Sequence, residues 1–474
     1  MKRTLWTIAI GSGLFVGAVA FGAAQTQTPK SAGGDVTFYK DVLPILQNRC
    51  QTCHRPGQIG PMSLLSYEQT RPWARSIKAR VATRQMPPWL ADPAHGEFAN
   101  DRSLKQAEID TIVAWADAGA PSGDAKDSPP PVTFPDNGWV IKPDVVVTLP
   151  DYAMPAKGVI DWENFAVPSP FKEDTWVRSI EMQQSVPSVV HHMCVDIVPH
   201  RDSTVYGQYE WAEIPKSEDG VALEHDRRAT SDVVVVTRKV GASRTDVQRR
   251  MGKPTLQAGA SGFCWEHGLP ATDYGAMGAA RLVPAGADLV FSMHYTANGK
   301  DVLNRTQLGF TIAKTRPTKK FVQVVIGAGP GPDFAIPPNT PNWKAPTAST
   351  VFKRDAQLVW FWPHGHARAK DFTYTLQYPD GRQETVLSVP RYDYNWELQY
   401  VTARPVRIPK GTKMVVEAHY DNSSANKNNP NPNVWVYYGQ QKWEEMMNGI
   451  FGVLVDVDVP DRDIVSARGD LSAG

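Results

Sequence analysis

The sequence predicts a short helical segment followed by a much larger, turn-rich β region, and three observations predict it. Capped, amphipathic stretches lie between Thr37 and Pro121. Beyond Pro135, short Val-rich runs recur among turn residues, of which the 474-residue chain holds 36 Gly and 39 Pro. Between the two lies Ser122–Pro135, a Gly, Ser, Asp and Pro tract centred on Pro129-Pro130-Pro131, which favours an extended, semi-rigid spacer. The length gives material for about three domains of ordinary size. With 50 basic and 49 acidic side chains and a net charge of +1, nothing points to nucleic acid or another polyanion as partner.

The first residues read as a targeting segment. Lys2 and Arg3 precede an apolar stretch from Leu5 to Ala20, and Gly22-Ala23-Ala24 offers small residues for cleavage after Ala24. A retained anchor is the alternative, but the run is short and broken by Gly11, Gly13 and Gly17. Residues 1–24 are therefore expected to be a signal peptide, and the mature chain periplasmic or secreted with no membrane span.

In the helical segment, Phe38 to Leu46 carries apolar residues on one face and leads into Cys50. A second helix is expected with Thr70 as N-cap, Pro72 in its first turn, and Trp73, Ile77 and Val81 stacked at intervals of four. A third has Ser103 and Gln106 as capping box, Ile109, Ile112 and Val113 as buried stripe, and Gly119 as stop. In the β region, Val145–Leu149, Val233–Thr237, Leu289–Tyr295, Phe321–Ile326, Met414–His419 and Val453–Val457 read as strands, and Tyr374–Val386 as a hairpin turning at Asp380-Gly381.

The four cysteines divide into two pairs. Cys50-Gln51-Thr52-Cys53-His54 is the c-type haem attachment pattern: two thiols three positions apart add to the haem vinyl groups, and His54 ligates the iron. The sixth ligand is open among Met62, Met86 and His95. Met86 is favoured because Pro87 and Pro88 would stiffen the loop that carries its sulfur. Cys194 and Cys264 form an even pair in an oxidising compartment, so a disulfide is expected.

The histidines of the β region fall into two groups. His364 and His366 are two apart, so on a strand both leave the same face, and Gly365 leaves the backbone between them uncrowded. Met446 is a thioether candidate for the same site, and sulfur with two imidazoles points to copper, since a thioether favours Cu(I). The other group is His191, His192 and His294. Adjacent strand residues face opposite ways, so joint ligation by His191 and His192 needs a local twist.

These residues carry a resemblance. Thr37–Pro121, including Trp115 to Pro121, resembles the small cytochrome c modules fused ahead of bacterial redox domains. From about Val145 to Val459 the chain resembles the copper type II, ascorbate-dependent monooxygenases, the family of the peptidylglycine alpha-hydroxylating and dopamine beta enzymes. The matches are His191-His192-Met193, His294-Tyr295, His364-Gly365-His366 and Glu445-Met446-x-Asn448, in the family's order. Arg391 to Trp396 and Tyr420 to Asn426 look shared with bacterial members that carry a cytochrome module.

The fold class so implied is a small all-α cytochrome c domain (37–121), the Pro-rich linker (122–135) and two all-β, β-sandwich copper domains (145–312 and 317–460) flanking a solvent cleft. The implied cofactors are haem c and two copper ions. One copper would sit on His191, His192 and His294 for electron transfer, the other on His364, His366 and Met446, where dioxygen is activated to hydroxylate a small organic substrate. Electrons would come from a redox partner or small reductant, entering at the haem. His419 and Glu445 are candidates to orient ligands. Trp362 and Ile450 stand where the peptide-amidating enzyme has the arginine and tyrosine it uses on its substrate carboxylate, so peptide amidation is not expected. With Trp360 they would line an apolar pocket or be plain core. The alternative reading is a non-hydroxylating electron-transfer or copper-handling protein.

Overall fold

The computed structural model describes residues 36–135, 138–158, 160, 163–200, 202, 204, 206–209, 263–268, 271–328, 334–439 and 443–466. The expected signal peptide and the expected strand Val233–Thr237 lie outside these residues. No helix among them is long and apolar enough to cross a membrane.

Among the described residues the chain is mostly β, and the helices are short, the longest being Gln106–Asp117 at 12 residues. Phe38–Val42, Leu43–Arg49, Tyr67–Thr70, Ala74–Ala82 and Gln106–Asp117 pack around Phe38, Leu46, Ile77, Val81, Ile112 and Trp115. The caps differ from those expected. Ser66, not Thr70, starts the second helix by accepting the Gln69 N–H, and the prolyl turn continues it as Arg71–Trp73. Trp73 is 42% exposed, and Ala74, Ile77 and Val81 carry the burial instead. The Glu108 carboxylate accepts the Lys105 N–H two residues later than the expected box, and Trp115 rather than Val113 completes the buried stripe.

No separate all-α cytochrome domain stands among the described residues. From Thr83 to Lys105 there is no helix, and this stretch is sewn onto the β structure: Asp92 N–H donates to Ser388 O, Ala99 N–H to Val401 O, and Ala403 N–H to Glu97 O. Trp89 and Phe98 lie against Tyr400 with ring centroids 5.0 and 5.4 Å apart. These aromatic residues bury their surface in a β core because the few short helices offer too little apolar area of their own. The Pro-rich tract is likewise held down. Pro130 O accepts from Gln47 Nε2, and the Arg55 guanidinium sits 4.0 Å over the Phe134 ring.

Among the described residues, four main antiparallel sheets and two two-stranded ones, Tyr152–Met154 with Val302–Asn304 and Ala335–Ile336 with Val436–Tyr437, make up the rest. One runs Val145–Thr148, Thr306–Ile312, Thr175–Gln184, Ala271–Asp273, with Arg281–Val283 also on Thr175–Gln184. A second runs Gly207–Tyr209, Glu163–Pro168, Asp288–Tyr295, Val190–Val198, Phe263–Trp265. The third orders Lys319–Ala328, Met447–Asp456, Ala356–His364 and Tyr400–Ile408, and the fourth Trp343–Lys344, Lys413–Tyr420, Ala369–Gln377 and Gln383–Val389, with Ala348–Val351 also on Lys413–Tyr420. The hairpin at Asp380-Gly381 is present, with Gly381 at φ 87° in the left-handed region that glycine adopts without strain.

The expectation of two β-sandwiches side by side around a solvent cleft is also corrected. The third sheet is buried on both faces. Leu358, Phe361, Phe451 and Val453 enter one core with Phe372, Tyr374 and Val416 of the fourth sheet. Trp360, Trp362, Ile450 and Leu454 enter the other with Val177, Phe291 and Phe310. A sheet covered on both faces reads as an unbroken apolar run, as Leu358-Val359-Trp360-Phe361-Trp362 does. Trp360 and Trp362 are thus core, each 4% exposed, with indole N–H groups bonded to Gln399 Oε1 and Glu397 O.

Cys194 and Cys264 form the expected disulfide between directly paired strands, closing a separation of 70 residues. Replacing both by serine is expected to lower unfolding stability by about 2–5 kcal/mol, read as a lower denaturant midpoint.

Candidate metal centre

The structure gathers five histidines into one cluster, four of them buried and His191 half-buried. The strand Val190–Val198 pairs with Asp288–Tyr295 so that His192 faces His294, but the next partner of Tyr295 is Val190, and His191 is left over as a bulge. This irregularity is the local twist that adjacent histidines need in order to face one site, since an extra residue bends the strand and re-aims its side chains. The rings of His191, His192 and His294 then lie 5.0 Å apart in all three pairings, and a ligand atom from each falls within 4.8 Å of the others.

His364 ends the strand Ala356–His364, and His366 follows two residues on with its ring 5.3 Å away. A β-carbon at Gly365 would lie 2.7 Å from Ala369 Cβ and 3.2 Å from Met446 O, so the close approach of these segments requires glycine. Gly365→Ala is expected to destabilise the fold by roughly 1–3 kcal/mol and to lower metal content with it, as read by thermal unfolding and metal analysis.

The two groups do not face each other across open solvent. His192 and His364 have ring centroids 5.9 Å apart, and His192, His294, His364 and His366 are 5% exposed or less. Glu397 lies between them, with Oε2 2.5 Å from His364 Nδ1 and Oε1 3.5 Å from His192 Nδ1. Tyr394 Oη is 3.3 Å from His294 Nε2, and its ring lies 5.1 Å from His191 and 6.3 Å from His366. Glu397 and Tyr394 are the residues that sequence reasoning missed. Their only signal was the shared-looking segment Arg391 to Trp396, which stops one residue short of the carboxylate.

Glu445 orients the second histidine pair. Its buried carboxylate accepts the His366 N–H at 2.8 Å and the Arg368 N–H at 2.6 Å, while Glu444 O accepts from or faces His366 Nδ1 at 3.1 Å. Burial pushes the Glu445 carboxyl up to about 7 against the pull of these backbone donors. His419, the other candidate for such a role, instead pairs with Asp371 at 2.7 Å in the outer sheet. Met446 is brought beside Gly365 through its backbone, and its sulfur accepts from Asn448 Nδ2 at 3.6 Å.

The donor set fits a metal. Burial holds His191 below its ordinary pKa and His192 well below, which keeps their nitrogen lone pairs unprotonated. For His364 burial acts the same way, but the charge and hydrogen bond of Glu397 outweigh it and raise the pKa. A bound cation would take the place of that proton.

The Cys50-x-x-Cys53-His54 motif follows the helix Leu43–Arg49. His54 Nδ1 is 3.2 Å from Met62 O, and Gly60 packs where a β-carbon would lie 2.7 Å from that nitrogen. A carbonyl on Nδ1 orients the ring and leaves Nε2 as the nitrogen that an iron would take. Burial pushes the Cys50 thiol up to about 12 and also raises Cys53, which disfavours the thiolate of a redox pair. Met62 packs its side chain in the helical core while its carbonyl holds His54. Met86 is half-buried after the helix Ala74–Ala82, and His95 lies in the turn begun by Asp92.

The motif also approaches the histidine cluster. Cys53 Sγ lies 3.5 Å from where a β-carbon of Gly268 would stand, and Arg102 donates from Nη1 to His267 O at 3.1 Å. Burial, then the neighbouring His191, push His267 down to about 4. A cavity of about 10 Å³ is shared by His191, His192, Glu266, His267 and Glu397.

No protein-family model matches the chain, and no curated protein matches it. Among solved structures it is similar to one described as PNGF-II in a P21 space group, at 11% identity and a TM-score of 0.23, over 66% of this chain and 65% of that one. A second is the infectious bursal disease virus Gx strain, at 9% identity and a TM-score of 0.15, over 68% of this chain and 74% of that one. Likenesses this slight establish neither fold nor function.

Proposed function

We propose that the chain is a periplasmic or secreted, haem- and copper-dependent oxidoreductase of the monooxygenase type, hydroxylating a small organic substrate with dioxygen. The observation that carries the reading is the convergence of five imidazoles from distant parts of the chain, joined at His192 and His364 by ring centroids 5.9 Å apart. His191, His192 and His294 would hold one copper, and His364, His366 and Met446 the other. Bound copper supplies one-electron redox chemistry and reactivity toward dioxygen.

The chain's own residues prepare that chemistry. Glu397 fixes the ring of His364, Glu445 fixes the backbone of His366, and the surrounding apolar cores keep bulk water away. Tyr394 places a hydroxyl against His294. Haem would be attached at Cys50 and Cys53 with His54 as ligand and Met86 as sixth. The approach of Cys53 to Gly268, and the bond from Arg102 to His267, support electron delivery within one molecule.

The test is whether the reduced, copper-loaded protein consumes isotopic dioxygen in proportion to a product carrying one labelled oxygen atom. Dioxygen uptake without such a product supports the second reading, an electron-transfer or copper-handling protein. One observation favours that reading: the cavity beside His191 and His192, about 10 Å³, has room for a water or an ion and not for an organic molecule. For the haem, Met86→Ala is expected to shift the absorbance from low-spin toward high-spin iron. An unchanged spectrum would pass the sixth position to Met62 or His95.

A further inference from the structure

We propose that His192, His364 and Glu397 form an additional cation site, one that takes a histidine from each copper group and ties the two parts of the β structure together. One ligand atom from each of the three residues lies within 4.8 Å of the others. The side chains are buried, at 2%, 5% and 4% residue exposure. They come from three separate elements: the bulged strand Val190–Val198, the end of Ala356–His364, and the segment leading into Tyr400–Ile408.

Glu397 is what makes this a site and not a chance meeting of rings. Among the described residues, the ion-pair partners of its carboxylate are His364 and His192, and no lysine or arginine pairs with it. A buried carboxylate is costly without a positive charge beside it, and an imidazole brings one only when it is protonated. A divalent cation between the three groups supplies it. The Glu397 backbone carbonyl accepts from the Trp362 indole N–H, which anchors the segment that carries the carboxylate.

The donor chemistry names the class of ion. Two imidazole nitrogens and a carboxylate oxygen suit Zn²⁺ or Cu²⁺, whereas the thioether of Met446 favours Cu(I). The site would therefore fill at the expense of both copper groups, because it takes His192 from one and His364 from the other. Zinc is expected to hinder copper loading. The inference rests on the proposed function only in taking the cluster to hold metal.

The experiment uses the metal-free, full-length protein and Zn²⁺ alone. In the His191→Ala, His294→Ala double variant the first copper group is dismantled, yet one Zn²⁺ per chain should still bind. Adding Glu397→Gln should weaken that binding by about 10-fold or more. Equal zinc affinity with and without Glu397→Gln overturns the site, as does a folded double variant that binds no zinc. Should the variants fail to fold, X-ray absorption of the wild type with one equivalent of zinc decides: a carboxylate oxygen beside imidazole supports the site, and imidazole alone overturns it. Copper loading of the wild type separates this inference from the functional reading. Zinc bound without copper sinks the oxidoreductase and leaves the site standing, and copper bound without zinc does the reverse.

Discussion

Replacing His192 by alanine is expected to cost the protein at least one copper per chain and to abolish zinc binding across the two parts of the β structure. His192 has three histidine neighbours and a carboxylate: His191 and His294 at 5.0 Å, His364 at 5.9 Å, and Glu397 Oε1 at 3.5 Å. Removing a ligand outright is a larger insult than removing the group behind it, which typically changes affinity about 10–100-fold. Tyr394→Phe, which leaves all five imidazoles, should keep the metal content. The check is metal analysis of both variants after loading and dialysis. Full copper content in His192→Ala would mean that the ring belongs to the core and not to a metal centre.

The second large effect is expected at Glu445. Glu445→Ala strands the His366 and Arg368 N–H donors in a region where Glu445 is 0% and Arg368 1% exposed. Leaving two buried donors without an acceptor costs on the order of 3 kcal/mol, and the neighbouring guanidinium of Arg368 loses a compensating charge. Because those N–H groups set the path of the chain through His366, the loss should reach the second copper group as well. Chemical unfolding measures the first effect and copper stoichiometry the second. Glu445→Gln, which keeps an acceptor oxygen, should recover part of the stability. A variant as stable as the parent would show that the loop from Gly365 to Arg368 is held by something else.

Several features were determined by the sequence alone because they are local. The spacing of Cys50, Cys53 and His54 needs no tertiary partner to be read, nor does the hairpin turn at Asp380-Gly381. The pairing of Cys194 with Cys264 followed from there being two cysteines left. His364 and His366 were visible as a pair because strand geometry sends residues two apart to one face. Helix caps were near misses, since Ser66 and Thr70 have similar intrinsic preference for the position and packing chooses between them.

What only the tertiary structure decided is how these parts share surface. The apolar run from Leu358 to Trp362 is compatible with the wall of an independent sandwich or with a sheet buried on both faces, and contacts from two cores at once selected the latter. The same is true of the helical segment, whose irregular stretch with Trp89 and Phe98 found its buried surface on Tyr400. The bulge that turns His191 toward His192 arises from a register shift between two strands about a hundred residues apart in sequence, which single-strand periodicity does not carry. Glu397 illustrates the limit most sharply. A carboxylate in a Trp-Glu-Leu-Gln stretch has no local mark of function, and its meaning comes from the burial that leaves it with His192 and His364 for company.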